Sequence, residues 1–283
     1  MEDNLELDSR VVNNFRNVKL WWLIPPFLLL ILFFLYFSFS EGTNFVDDYA
    51  GSQKNLFFFL NGKLSEYPNF QINVTQLGDA LIFFPLLIIF LYYAPKLWQA
   101  LLTSSIISLL VSAACKRIFD VPRPADMFDN DSFVIIGKRL AGATSLPSGH
   151  SITAIMIITI LLYAFMPKKS FYKILWFFLM FTIGLIIVFS RVGIGAHYPF
   201  DVIIGSAIGY IAAIIGIKVN NNVRWLDWIE DKRFYPIFIL LLLIWTFLIV
   251  RKIVALNLLI FYLPLVPLVV TLFIITNVYV KKN

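Results

Sequence analysis

Eight apolar runs follow one another along the 283-residue chain, at 20–39, 77–94, 97–115, 150–166, 174–189, 199–217, 236–250 and 253–279. A hydrocarbon layer roughly 30 Å thick is crossed by about 20 apolar residues in a helix. Inside lipid the backbone must also satisfy its own hydrogen bonds, which leaves helices for runs of this length. The pattern predicts an all-α, polytopic membrane helix bundle occupying residues 1–283 as one unit. The seventh run is short, so 236–279 reads either as two crossings or as one helix preceded by a re-entrant piece.

Composition agrees, with 60% hydrophobic and 14% charged residues and a mean hydropathy of +0.82. The net charge of +6 comes without a dense basic tract, which argues against a nucleic-acid partner and for anchoring to lipid head groups. One cysteine, Cys115, allows no intrachain disulfide and suggests no metal site. The polar stretch before the first run is long for a secretory signal, so that run is read as a retained helix.

Lysine and arginine excess marks the cytoplasmic side. With the N-terminus inside, 13 of the 23 basic residues fall on inner segments, among them Lys96, Lys281 and Lys282. Three of the remaining ten, Lys116, Arg123 and Arg191, sit in motifs. Both termini are therefore expected in the cytoplasm. The long outer stretch 40–76 contains "NLFFFLNGKL", read as a piece lying along the interface or as a cap packing its aromatics on the bundle.

Only two histidines occur, and both stand where a loop gives way to an apolar run: His150 in "LPSGHSITA" and His197 in "SRVGIGAHYPFD". Between "KRIFDVPRP" and "PSGH" there is no crossing, and between "PSGH" and "SRVGIGAHYPFD" there are two, so all three groups emerge on one face. Arginine offers a planar fork matched to phosphate oxygens and lysine a point charge. A helix starting near His150 would leave the N–H groups of Ser148, Gly149 and His150 free for an anion, and Gly149 lets the backbone come close. Asp201 follows His197 by four residues, on one helical face, with Pro199 in the first turn. A carboxylate holding one imidazole nitrogen leaves the other as nucleophile or base, and His150 is free to act as acid. Two histidines, one attacking phosphorus and one protonating the leaving oxygen, make a double displacement that needs no metal and no cofactor.

Lys116 with Arg123-Pro124, then Pro147-Ser148-Gly149-His150, then Ser190-Arg191 with His197 and Asp201, fill eleven positions whose spacing resembles the three-part signature of the type 2 phosphatidic acid phosphatases. That superfamily also includes vanadium haloperoxidases and glucose-6-phosphatase. The resemblance implies a six-helix core, here about 76–217, with the outer cap at 40–76 and one or two extra helices over 236–279. It implies His197 as nucleophile forming a phosphohistidine, Asp201 orienting it, His150 as general acid, and Lys116, Arg123, Ser148, Gly149 and Arg191 holding the phosphoryl group. It also implies a lipid phosphate or diphosphate as substrate, such as undecaprenyl diphosphate, phosphatidylglycerol phosphate, phosphatidic acid or lipid A. The site would face the periplasm or exterior of a bacterial inner membrane. A phosphotransferase passing the phosphate to a second lipid, or a lipid-binding or transport protein that kept the pocket, are the alternatives.

Outside the signature, Asp79 near the outer end of the second run is read as reaching water, and Asp120 and Asp126 as shaping their loop. Tyr198 is read as lining the pocket or as an interfacial tyrosine.

Overall fold

The structure, a computed structural model, describes residues 2–39 and 44–281. Lys282, counted above among the inner charges, and the first residues of the 40–76 stretch lie outside them. No strand occurs among the described residues, and six helices are long and apolar enough to cross a membrane.

An N-terminal helix α1 (Glu2–Arg16) precedes the first crossing α2 (Ile24–Ser38), which opens on prolines in its first turn, where the missing N–H costs nothing. Three short helices, α3 (Phe45–Ser52), α4 (Lys54–Leu64) and α5 (Pro68–Val74), form the cap segment between the first two apolar runs. The run 77–94 is not one helix. It breaks into α6 (Ala80–Leu86) and α7 (Phe90–Tyr93), with Pro85 inside the first. Proline has no N–H to return to the carbonyl four residues earlier, so the Leu81 carbonyl is freed, and Trp245 Nε1 donates to it at 2.9 Å. The Leu87 carbonyl, exposed by the break, accepts from Trp98 Nε1 at 3.0 Å.

The long helix α8 (Pro95–Phe119) ends on Asp120 at φ 45°, and a one-turn α9 (Pro124–Met127) follows. Then come α10 (Gly149–Ala164), α11 (Ser170–Gly193) and α12 (Pro199–Asn222). The C-terminal region is two helices, α13 (Tyr235–Leu256) and α14 (Leu265–Val280), turning at Asn257 with φ 46°. Of the two readings of 236–279, the pair of crossings is the one found.

The centre of the bundle is α10 against α12. Ile152, Ala154, Ile157 and Ile160 on one side and Val202, Ala212, Ala213 and Ile217 on the other are buried. Gly209 permits this closeness, since a Cβ there would overlap the Ile152 carbonyl oxygen. Around this centre α2, α11, α13 and α14 keep outward rows of leucine, phenylalanine and valine exposed, such as Phe178, Leu240 and Phe273. Apolar surface of that extent is stable only in lipid. The chain is an integral membrane protein.

Polar contacts gather at the two ends of the bundle. At one end Asn14 Nδ2 donates to the Ala164 carbonyl at 2.9 Å, and Lys96 pairs with Asp227 at 2.8 Å and Glu230 at 3.1 Å. Lys96 is thus committed to protein partners and is not a lipid anchor. At the other end lie the three motifs.

Candidate active site

The "KRIFDVPRP" motif straddles the end of α8. Lys116 occupies the last helical turn, and the left-handed residue Asp120 turns the chain so that Arg123 comes back over the bundle. Asp126 then ties down the loop, accepting from Gly142 N and from Arg139 Nη2. Both aspartates therefore shape the loop, as expected.

Arg123 Nη1 donates to the Ala196 carbonyl at 3.0 Å and contacts His197 Nε2 at 3.2 Å. A guanidinium only donates, so Nε2 is an acceptor and carries a lone pair. The proton of the neutral ring is then on Nδ1, which lies 3.1 Å from Asp201 Oδ2. Burial pushes the His197 imidazole down to about 4; the bond with Asp201 opposes this shift, while Arg123 and Arg191 add to it. A buried, neutral, oriented imidazole whose lone pair is on Nε2, here accepting from Arg123, is in the protonation state that can attack an electrophile.

Asp201 is held from four directions. Tyr49 OH donates to Oδ1 at 2.6 Å. Oδ2 receives Ser145 Oγ at 2.5 Å, Tyr198 N at 2.9 Å and the His197 ring. A carboxylate with this many donors is fixed in place. Tyr49 and Ser145 were not found from sequence. Ser145 lies three residues before "SGH" and adjoins the motif, whereas Tyr49 has no signal, because its partner is 152 residues away. One turn on from Tyr49, Gln53 Oε1 accepts from Phe200 N at 2.9 Å, so α3 and the residue that caps its end clasp the first turn of α12 with two side chains. Farther along the cap, Asn61 Nδ2 donates to the Val192 and Val134 carbonyls at 3.0 Å each. Phe57 is buried beside Phe128, Phe133 and Tyr198, while Phe59 is exposed. Tyr198 is itself fully buried beneath the cap, away from any interface.

"PSGH" begins α10 with Ser148 at the N-cap. One sequence expectation is corrected here: the Ser148 N–H is not free for an anion. It donates to the Asp201 carbonyl at 3.1 Å, locking the start of α10 to the start of α12. The N–H groups of Gly149 and His150, the first two of the helix, have no carbonyl within the helix to donate to. Lys116 Nζ lies 3.7 Å from where a Gly149 Cβ would be. Its ammonium therefore stands over that helix start.

Arg191, only 4% exposed, donates through Nη1 to Thr75 Oγ1 at 2.8 Å. Its Nε is buried without a partner. A buried guanidinium left partly unpaired is costly, and one turned to an anion site is the ordinary resolution. A cavity of about 380 Å³ reaches from Asp79, Lys116, Gly149 and His150 inward, with Phe84 and Leu109 on its apolar wall. Asp79 does not simply reach water. It caps α6 through Leu81 N at 2.9 Å and pairs with Lys252 Nζ at 2.7 Å. Among the described residues no three His, Cys, Asp or Glu side chains gather as metal ligands.

Residues 97–225 match the family described as the PAP2 superfamily. Over 212 residues the chain is 24% identical to an undecaprenyl-diphosphatase of Sulfolobus acidocaldarius, covering 73% of this chain and 94% of that protein. The crystal structure of Aquifex aeolicus LpxE aligns with a TM-score of 0.49 at 26% identity, over 59% of this chain and 94% of the other. The matched region holds all three motifs, and over it the chain is similar to the PAP2 superfamily, the type 2 phosphatidic acid phosphatases.

Proposed function

We propose that the protein is a metal-independent lipid phosphatase that takes the terminal phosphate from a lipid diphosphate, with His197 as the covalent carrier. The observation that carries this reading is the chain Asp201–His197–Arg123, which leaves Nε2 with its lone pair beside a phosphate-binding cation. Nε2 attacks phosphorus as Arg123, Arg191, Lys116 and the N–H groups of Gly149 and His150 hold the oxygens. The bond to the leaving oxygen breaks, and His150, which lines the cavity, protonates that oxygen. Water then attacks the phosphohistidine with His150 taking its proton, releasing phosphate and restoring the neutral imidazole.

A diphosphate is favoured by the likeness to the Sulfolobus acidocaldarius protein, aligned along nearly its whole length. The apolar chain would enter from the bilayer past Leu109, which lines the cavity and is 69% exposed. The site would lie at the periplasmic or exterior face, the termini in the cytoplasm. The test is phosphate release from undecaprenyl diphosphate in detergent by wild type and His197→Ala. Release by wild type alone supports the reading, and undiminished release by His197→Ala refutes it.

A further inference from the structure

The helices α13 and α14 lie beyond the matched family region, which ends at residue 225. They nevertheless reach the site. Three polar links join them to the segment 73–81. The Ile260 N–H donates to Asn73 Oδ1 at 3.1 Å, Lys252 Nζ pairs with Asp79 at 2.7 Å, and Trp245 Nε1 donates to the Leu81 carbonyl at 2.9 Å. That segment in turn touches two of the candidate site residues. Thr75 accepts from Arg191, and Gly78 packs so closely on His150 that a Cβ at 78 would lie 2.6 Å from the His150 Cβ.

Asp79 is at first sight misplaced. It lines the cavity shared by Lys116, Gly149 and His150, where a bare carboxylate would repel any anion. Lys252 removes that penalty. Its side chain and that of Asp79 are 27% and 29% exposed, neither sealed nor free in water. Position adds meaning to the charge. An in-line attack from His197 puts the leaving group on the side of His150, and for a lipid diphosphate the leaving group is itself a phosphate. The wall beside His150 is the Gly78–Asp79 turn.

Resting on the phosphatase reading above, we propose that Lys252 is a specificity-determining residue. Its ammonium neutralises Asp79 and makes the His150 side of the cavity receptive to the second phosphate of a lipid diphosphate. The C-terminal hairpin is in this view part of the substrate site. A phosphomonoester places no charge there and gains little from Lys252.

The test reads binding without turnover, so its failure is separable from failure of the phosphatase assay. Dissociation constants for methylenediphosphonate and methylphosphonate are measured by calorimetry on the full-length protein in detergent, for wild type, Lys252→Met, Asp79→Asn and the double variant. Lys252→Met should weaken methylenediphosphonate roughly tenfold and methylphosphonate much less, as expected for one unpaired carboxylate a few ångströms away. Asp79→Asn, with the cation unpaired, should bind methylenediphosphonate at least as tightly as wild type. The double variant should return close to wild type. A purely structural ion pair is lost in all three variants, so equal weakening in all three, or an unchanged Lys252→Met, overturns the proposal.

Discussion

His197 sits between a carboxylate on Nδ1 and a guanidinium on Nε2, and that placement fixes its chemistry by titration. In the unfolded chain the ring titrates near 6.5, and in the fold near 4. Above 6.5 it is neutral in both states. As pH falls from 6.5 toward 4 the unfolded chain binds a proton that the folded one refuses, and stability declines by an amount on the order of 3 kcal/mol. The neutral ring persists over the same range. With His197 as the proposed nucleophile, its acid limb in kcat/KM should lie well below 6.5; a pH profile whose acid limb remains near 6.5 and is assignable to His197 would contradict this. Tyr49 makes a second prediction. Burial and the neighbouring Asp201 charge push its phenol up, so it remains a donor. Tyr49→Phe removes one charge-assisted bond from Asp201 and should lower kcat roughly tenfold with little change in KM. Loss of folding, or a change confined to KM, would show a different role. The eleven signature positions could be read without a structure because the chemistry demands residue types at fixed local spacing. Tyr49, Ser145 and Thr75 could not, since a hydroxyl's partner across the fold leaves no trace in its neighbours.

At the level of helices, the site depends on two starts held together. α10 begins at Gly149 and α12 at Pro199, and the Ser148 N–H to Asp201 carbonyl bond joins them. Gly209 lets the same pair approach farther down. Gly209→Leu should force them apart and destabilise the protein by about 3 kcal/mol, near the upper end of overpacking costs, seen as earlier thermal unfolding in detergent. Unchanged unfolding would mean that the contact is looser than described. Hydropathy located the six helices long and apolar enough to cross, but it is blind to hydrogen-bond bookkeeping. It therefore ran 77–94 together, although Pro85 interrupts the ladder and Trp245 repairs it from another helix. The same blindness made Asp79 look solvent-facing, when it pairs with Lys252 far along the chain.

Across the whole molecule, the three motifs meet at one end because the crossings between them number none and two. That parity was legible in the sequence, and the contacts Arg123–His197 and Ser148–Asp201 realise it. On the proposed topology of eight crossings, both termini come to the other end of the bundle. Tags at the N- and C-terminus should accordingly be protected together in sealed inverted or right-side-out vesicles, opposite to a tag inserted in the cap; termini labelled from different sides would overturn the arrangement. What the sequence could not show was the use of the surplus helices, because their contacts to the site are single polar atoms within otherwise uniform apolar runs.

The most direct measurement concerns the covalent carrier. Protein incubated with terminally labelled undecaprenyl diphosphate is quenched in alkali, which preserves a phosphohistidine, and is digested and mapped. Label should appear on the peptide containing His197, disappear on acid treatment and be absent from His197→Ala. Turnover without label on that peptide, or label retained in His197→Ala, would contradict the assignment of His197 as nucleophile.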